Sequence, residues 1–367
     1  MPSYPHLSLD RDALESNIRV MAGWCAERDV DLAPHVKTTM SPEIVRLQVA
    51  AGAVALTVAT VDQAALVAGW GHADLLVANE VVDETGLLRL NALLAADAGR
   101  VIRILVDSVE GVDAASRVFD GSGPRLPVLL DVGADGGRTG VRSEAAADEV
   151  AAAVVAAPGL ALAGVSGYEG VAPNRRDAET LAAVDAHCRR VRDVFLRLAG
   201  RFETASPVFT MGGSAFPDRV VAHLPHGVPG TRTWLRSGCY VTHDHGTYAA
   251  VSPVDGLRPA LAVAAVVLST PEPGVAVLGA GKRDLAYDAG LPVLLGASGR
   301  VRTLFDHHAV LDGASVDGAD VAVGDVLRLG ISHPCSAFDR WPAYVAARSD
   351  GGDPQLWTTD FGRATAV

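Results

Sequence analysis

The chain has 367 residues, a formal net charge of −12 at pH 7 and a pI near 5.3. This charge argues against a nucleic-acid-binding protein, which usually presents a basic face. The N-terminus has no basic region followed by an apolar region, and no run of about 18 uncharged apolar residues occurs, so we expect neither a signal peptide nor a membrane span. The composition is typical of a soluble cytoplasmic protein.

Short apolar segments recur along the chain, each followed by a turn and a helix-like stretch. They are residues 30–35, 53–59, 74–80, 101–107, 126–133, 162–170, 206–213 and 233–241. Among the intervening stretches, residues 41–52 and 143–159 begin at the candidate caps Ser41 and Ser143, and residues 175–200 show the longest helical pattern. Eight strands alternating with helices predict a closed parallel (β/α)8 barrel, with an open doubly wound sheet as the alternative.

After about residue 250 the pattern changes to short β-like segments separated by Pro, Gly and Asp. Helical periodicity largely disappears, which indicates a mostly β domain. We therefore predict a (β/α)8 barrel over residues 1–248 and a mostly β domain over residues 249–367. The polar segment 279–290 has no assigned role.

Polar residues follow several predicted strands at the ends where a barrel places its active site. The candidates are His35, Lys37, Arg138, Tyr168, Gly212, Gly213 and Ser214. In the Gly-Gly-Ser turn, glycines let backbone N–H groups approach an anion and the serine adds a hydroxyl donor. Barrels often bind phosphate with the loops after strands seven and eight. The turn is therefore a candidate phosphate site; the alternative is a tight turn that binds nothing.

Lysine is nearly absent from this chain: of the 31 lysines and arginines, only Lys37 and Lys282 are lysines. Beside apolar walls an amine can lose its proton and act as a nucleophile, whereas arginine stays protonated. The alternative is a half-exposed Lys37 paired with a carboxylate such as Glu80. An amine and a phosphate site on one rim together predict pyridoxal phosphate bound through Lys37. Lys282, the rival lysine, lies in the predicted β domain.

The segment GISHPCSAFDRW, residues 330–341, contains His333 and Cys335 two positions apart. In an extended strand both side chains project from one face. Imidazole and thiolate suit Zn²⁺, and two protein ligands leave positions for water and substrate. The alternative is a buried thiol beside a surface histidine. Further candidate histidines are His243, His245, His307 and His308. The cysteines expected to be ordinary buried thiols are Cys25, Cys188 and Cys239.

Six segments occur in the order seen in the D-serine dehydratase/D-threonine aldolase family. They are PHVKTTMSPEI, LLVANEVV, DVGADGGRTGV, GYEG, MGGS and GISHPCSAFDRW. The chain resembles this family over nearly its whole length. The resemblance implies the alanine-racemase-type fold of fold type III enzymes, in which a pyridoxal-phosphate-binding barrel precedes a β domain. It also implies a homodimer.

The resemblance implies a role for each cofactor residue. Lys37 corresponds to the Schiff-base lysine, Arg138 to the partner of the pyridine nitrogen, and Tyr168 to the tyrosine that lines the cofactor pocket. The turn Gly212, Gly213 and Ser214 corresponds to the phosphate-binding turn.

The resemblance also implies that His333 and Cys335 bind a divalent metal, with Zn²⁺ expected and Mn²⁺ or Mg²⁺ as alternatives. Known aldolases of the family carry His-x-Asp at this position, whereas the dehydratases carry His-x-Cys, as this chain does. The leading interpretation is therefore a D-serine dehydratase that releases pyruvate and ammonia.

The alternative is a D-threonine aldolase that forms glycine and an aldehyde from D-3-hydroxy amino acids. In that reaction His35 or a metal-bound water removes the hydroxyl proton. An amino acid racemase and a non-catalytic pyridoxal-phosphate carrier are the remaining alternatives. The predicted β domain argues against the carrier, because such carriers resemble the barrel alone.

Overall fold

A computed structural model describes residues 3–361 of the chain. In chain order its strands are β1 (His6–Asp10), β2 (Asp31–Leu32), β3 (Leu56–Val58), β4 (Asp74–Glu80), β5 (Val101–Val106), β6 (Leu126–Val132), β7 (Leu160–Gly167), β8 (Val208–Met211), β9 (Arg232–Leu235), β10 (Leu261–Glu272), β11 (Val275–Leu278), β12 (Val293–Leu295), β13 (Ser298–Leu304), β14 (Ala309–Val316), β15 (Ala319–Asp320), β16 (Val326–Gly330), β17 (Ala343–Ala347) and β18 (Gln355–Thr358). The α-helices are α1 (Arg11–Ala26), α2 (Pro42–Ala50), α3 (Val61–Gly69), α4 (Glu84–Ala95), α5 (Val109–Val118), α6 (Glu144–Ala156), α7 (Ala178–Arg197), α8 (Pro217–Val221) and α9 (Thr247–Val251).

The strands β2 to β9 form one parallel sheet within the described residues. Their order is β2-β9-β8-β7-β6-β5-β4-β3. The two ends of this sheet join, because the Val54 N–H donates to Leu32 O at 3.0 Å and the Thr57 N–H donates to Pro34 O at 2.9 Å. The prediction of a closed parallel barrel is therefore confirmed, and each of the eight predicted apolar segments overlaps one of these strands.

Residues on or next to each strand of the barrel form one buried apolar cluster. Its members are Ala33, Ala55, Leu76, Leu105, Leu129, Ala163, Val208 and Trp234. All eight are buried, so the interior of the barrel is a packed core and not a pore.

Side-chain caps begin the helices that follow the middle strands of the barrel. The capping residues are Thr60, Asp83, Ser108, Ser143 and Asp177, and each accepts a hydrogen bond from the backbone N–H three residues later. These caps satisfy N–H groups that have no partner inside the helix. The predicted cap at Ser143 is thus confirmed, with the Ala146 N–H as its donor.

A second sheet contains ten strands within residues 3–361. Its main order is β13-β14-β11-β10-β1-β17-β18; β16 pairs with β10, β12 with β16 and β15 with β14. The prediction of a mostly β region in the last third of the chain is confirmed. The sequence analysis did not predict β1, which pairs antiparallel with β10, with Leu7 opposite Val263.

Contacts group the described residues into two units. One comprises residues 3–21, 38–47 and 239–361, and the other comprises residues 22–37 and 48–238. Within the described residues the chain therefore passes from one unit to the other after Met21, Lys37, Leu47 and Gly238. The domain boundary between residues 248 and 249 stays a prediction. No helix in the described part of the chain is both long and apolar enough to cross a membrane.

Candidate active site

Lys37 lies in a one-turn helix, Val36–Thr38, directly after the first barrel strand. Its side chain is partly buried. Within residues 3–361 no ion pair joins Lys37 to a carboxylate, and both carboxylate oxygens of Glu80 are buried without a hydrogen-bond partner. The alternative interpretation, in which Lys37 pairs with Glu80, is therefore wrong for this structure.

His35 lies two residues before Lys37 and pairs with Thr57 in an isolated parallel bridge. Burial lowers the pKa of its imidazole well below the ordinary value, and the positive charges of Lys37, Arg236 and Arg138 lower it further. His35 is therefore neutral at neutral pH. Its Nδ1 is buried without a hydrogen-bond partner, so the ring keeps a site that can exchange a proton.

Tyr168 connects two of the predicted site features. The Arg138 guanidinium carbon lies 4.9 Å from the centroid of the Tyr168 ring. A Cβ placed on Gly213 would lie 3.1 Å from Cε2 of the same ring. Arg138, Tyr168 and the Gly-Gly-Ser turn therefore lie together at one end of the barrel, as the sequence analysis predicts.

The Gly-Gly-Ser turn is already bound by a carboxylate. The N–H groups of Gly212 and Gly213 donate to the two oxygens of Glu169, at 3.1 and 2.6 Å. These two N–H groups therefore have an acceptor within the protein, and the role of the turn as a phosphate site stays a prediction. Gly212 has φ of +105°, which an L side chain rarely adopts, so a glycine is required there. The Ser214 hydroxyl is buried and has no hydrogen-bond partner.

Arg236, at the end of β9, is the second buried charge beside this turn. Its guanidinium donates to Gly167 O at 2.8 Å, to the Ser166 hydroxyl at 3.0 Å and to Thr210 Oγ1 at 3.2 Å. Burial lowers its pKa, while the charges of Asp131 and Glu169 oppose that shift. Sequence analysis missed Arg236 and Glu169. Each is a charged residue within a predicted apolar segment, and because charged residues are rarely buried, this could have marked them as candidate site residues.

A separate group of ligand-type side chains lies in the unit that contains residues 239–361. The candidate ligand atoms of Cys239, His333 and Cys335 all lie within 4.8 Å of one another. The two sulfurs are 3.2 Å apart, and the Thr38 hydroxyl lies 3.4 Å from the Cys335 sulfur. Sequence analysis predicted His333 and Cys335 but treated Cys239 as an ordinary buried thiol.

Asp288 orients the imidazole of this group. The Nδ1 of His333 lies 2.7 Å from Asp288 Oδ2, and the Ser336 hydroxyl donates to the other oxygen of the same carboxylate. With Nδ1 held by Asp288, Nε2 remains for a ligand, as in many metal sites where a carboxylate fixes the histidine ring. The segment 279–290, which had no assigned role, thus supplies Asp288.

Hydrogen bonds shift the pKa values of the two cysteines in this group in opposite directions. A hydrogen bond from Cys239 lowers the pKa of Cys335 well below its ordinary value, although burial opposes this shift. The same hydrogen bond and burial raise the pKa of Cys239. Burial opposes protonation of His333, but the Cys335 thiolate and the Asp288 carboxylate outweigh it and raise its pKa to about 9.

The other candidate ligands lie outside this group. His307 and His308 are exposed, and burial lowers the pKa of His243 to about 4 and also lowers that of His245. Cys25 and Cys188 are buried free thiols, as expected, and burial raises the pKa of Cys25 to about 12.

Two family models match most of the chain. Residues 9–243 match the N-terminal domain of alanine racemase, and residues 260–347 match a putative serine dehydratase domain. The chain is 30% identical to D-threonine aldolase of Arthrobacter sp., over 96% of this chain and 91% of that enzyme. The chain belongs to the alanine-racemase-type, fold type III family of pyridoxal-phosphate enzymes.

Solved structures of this fold type III family agree with that assignment. D-threonine aldolase from Filomicrobium marinum has a TM-score of 0.83 and 28% identity, over 97% of this chain and 95% of that chain. D-threo-3-hydroxyaspartate dehydratase of Delftia sp. is 28% identical over 96% of both chains. Its structure gives a TM-score of 0.77 and 25% identity, over 99% of this chain and 98% of that chain. The present chain is a pyridoxal-phosphate-dependent lyase of this family.

The residues of the barrel unit fit pyridoxal phosphate. Lys37 supplies an amine without a carboxylate partner, and Ser214 supplies a buried hydroxyl without a hydrogen-bond partner. At Gly212 a Cβ would lie 2.9 Å from Leu235 Cδ2, so the turn tolerates only the smallest residue. Two thiols and one imidazole fit a divalent metal of the softer kind.

Glu169→Gln should loosen the Gly-Gly-Ser turn. The amide replaces one accepting oxygen by a donor, which leaves one buried backbone N–H without an acceptor at a cost of about 1–3 kcal/mol. We expect a lower melting temperature and weaker binding of pyridoxal phosphate, measured by absorbance titration. Glu179→Gln, at an exposed position, is the control. Unchanged cofactor affinity in Glu169→Gln would show that the carboxylate does not organise the turn.

Glu80→Gln should change how stability depends on pH. Burial, and then the charges of Asp131 and Asp107, raise the pKa of Glu80 from 4.5 to about 7. The folded state therefore holds one proton more than the unfolded state between about pH 4.5 and 7, and wild-type stability falls as pH rises through that window. The variant should be stabilised relative to wild type at pH 8 and much less at pH 4.5, by thermal melts. Exposed Glu149→Gln should show no such difference; parallel curves for wild type and Glu80→Gln would refute the assignment.

Proposed function

We propose that this protein is a pyridoxal-phosphate- and metal-dependent lyase that removes ammonia from D-3-hydroxy amino acids. D-serine, the leading substrate, would give pyruvate and ammonia. The observation that carries this proposal is the thiol-containing group around His333 and Cys335, in a chain whose Lys37 is a partly buried amine without a carboxylate partner.

The comparison with the Delftia dehydratase supports dehydration. Solved structures of D-threo-3-hydroxyaspartate dehydratase include a histidine-to-alanine variant and a cysteine-to-alanine variant at positions two residues apart, and the cysteine variant is in the metal-free form. His333 and Cys335 have the same residue types and the same spacing. We therefore infer that these two residues bind the metal of this enzyme.

Lys37 would act first as the covalent anchor of the cofactor and then as a base. Pyridoxal phosphate, when bound, delocalises negative charge that develops at Cα of an amino acid. The Lys37 amine, displaced by the substrate amine, would accept the α-proton. Arg138, Tyr168 and Ser214 would hold the cofactor in the barrel.

His333 and Cys335 would hold the metal against the β-hydroxyl group. A divalent metal, when bound, acts as a Lewis acid on that oxygen and helps it to leave. The Thr38 hydroxyl lies 3.4 Å from the Cys335 sulfur.

An aldolase reaction is the second candidate, because the Arthrobacter and Filomicrobium relatives are named D-threonine aldolases. In that reaction a base removes the hydroxyl proton and the Cα–Cβ bond breaks. His35 would be the base in that reaction: burial, and then the positive charges of Lys37, Arg236 and Arg138, lower its pKa and leave its imidazole unprotonated. A homodimer and a cytoplasmic location remain further proposals.

D-threonine separates the two candidate reactions. We expect purified enzyme with a divalent metal to form 2-oxobutyrate and ammonia, measured by chromatography of the products. D-serine should give pyruvate in the same assay, and chelation of the metal should abolish both reactions. Glycine and acetaldehyde as the dominant products from D-threonine would establish the aldolase instead.

Lys37→Arg tests the role of the rare lysine. Arginine keeps the positive charge but cannot form the covalent bond to the cofactor. We expect loss of the visible absorbance of the lysine-bound cofactor and at least a 10³-fold fall in kcat, on the order of 4 kcal/mol. Exposed Lys282→Arg is the matched control and should keep the wild-type spectrum. An unchanged spectrum in Lys37→Arg would transfer the role to Lys282.

A further inference from the structure

The sulfur of Cys239 lies beside the proposed metal ligands and has no role in the reaction described above. We propose that Cys239 is a third protein ligand, so that this chain binds zinc through two thiolates and one imidazole. One coordination position is then left for water or the substrate hydroxyl. This inference rests on the metal site of the proposed function and deepens it.

Distances between the ligand atoms fit a single ion. Zinc binds sulfur at about 2.3 Å with tetrahedral angles, which places two bound sulfurs roughly 3.8 Å apart. The Cys239 and Cys335 sulfurs are 3.2 Å apart. If each sulfur moved outward by about 0.3 Å, the pair would reach the distance expected in a zinc site. The candidate ligand atoms of the three residues lie within 4.8 Å of one another.

The backbone presents Cys239 to this position from a short, buried element. Cys239 begins the one-turn helix Cys239–Val241 and is 5% exposed. A side chain this enclosed has little freedom to turn away from Cys335. The Thr38 hydroxyl lies 3.9 Å from the Cys239 sulfur and 3.4 Å from the Cys335 sulfur. A hydroxyl between two sulfurs can donate to either thiolate, which stabilises the charged ligands.

The imidazole ligand, His333, is oriented by partners outside the ligand group. Asp288 lies 2.7 Å from Nδ1, and the Ser336 hydroxyl holds Asp288 in turn. Such outer partners fix the ring orientation and raise the basicity of the ligand nitrogen. The three candidate ligands are thus supported by outer residues that hydrogen-bond to a ligand, as in known metal sites. All of these residues belong to the same unit.

Two thiolates change which metal the site selects. Thiolate ligands favour zinc over magnesium and manganese, which prefer oxygen ligands. Structural zinc sites use four protein ligands, whereas catalytic zinc sites use three and keep one open position. Within the residues that the structure describes, the group has three members, which is the catalytic number. Two negative ligands also lower the charge of the ion, so its pull on the hydroxyl oxygen weakens.

X-ray absorption at the zinc edge counts the sulfur ligands directly in the purified holoenzyme. We expect two sulfurs at about 2.3 Å in the wild type and one in Cys239→Ser. Cys25→Ser is the matched control, because Cys25 is a buried thiol outside the group, and it should keep two sulfurs. A wild-type spectrum with one sulfur, or two sulfurs in Cys239→Ser, overturns the proposal.

Zinc affinity, measured by competition with a chromophoric chelator, provides a readout that does not depend on activity. Loss of an outer partner typically costs 10–100-fold in affinity, so loss of a ligand in Cys239→Ser should weaken binding by more than about 100-fold. An unchanged affinity overturns the proposal, as does a Cys239–Cys335 disulfide in the purified enzyme. Zinc bound by two sulfurs in a protein without lyase activity would refute the proposed function alone.

Discussion

Closure of the parallel sheet is the constraint on which the cofactor site depends. The bonds from Val54 N–H to Leu32 O and from Thr57 N–H to Pro34 O join the first and second barrel strands. Once the sheet is closed, the carboxyl ends of all its strands meet at one rim. His35 and Lys37 then share an electrostatic environment with Arg138 and Arg236, which lie 100 to 200 positions away in sequence.

Burial of charged groups around this rim sets their protonation. Glu169 and Arg236 are 2% and 6% exposed, and each is held by several hydrogen bonds that offset the cost of removing it from water. The carboxylate of Glu169 binds two backbone N–H groups of the turn that the sequence suggested for phosphate. Burial raises the pKa of Glu169, while the N–H groups of Gly213 and Gly212 oppose that shift; the role of the turn as a phosphate site stays a prediction.

The candidate metal ligands Cys239, His333 and Cys335 are brought together by the other unit of the chain. They belong to the unit that includes the mostly β region, and Cys239 precedes His333 by 94 positions in the sequence. The two sulfurs, 3.2 Å apart, are polarisable ligands. Such ligands favour zinc over ions that prefer oxygen, such as magnesium. The reaction proposed for the enzyme depends on the metal ion, because the choice between losing a hydroxyl group and breaking a carbon–carbon bond is made at the β-carbon.

The sequence by itself determined the barrel, the mostly β region and the candidate residues at the strand ends. These features are local: apolar segments, caps such as Ser143, and the spacing of His333 and Cys335 are all encoded within about ten residues. The scarcity of lysine singled out Lys37 without any structure.

Only the tertiary structure decided the features that depend on distant partners. In the structure Glu80 does not pair with Lys37, and Glu169 accepts hydrogen bonds from the Gly-Gly-Ser turn. Cys239 lies beside Cys335, and Asp288 lies beside His333. β1 escaped prediction for the same reason, since its strand partner lies more than 250 residues away. Hydrogen bonds and desolvation act between side chains that the fold brings together, and no local pattern specifies which distant side chains those are.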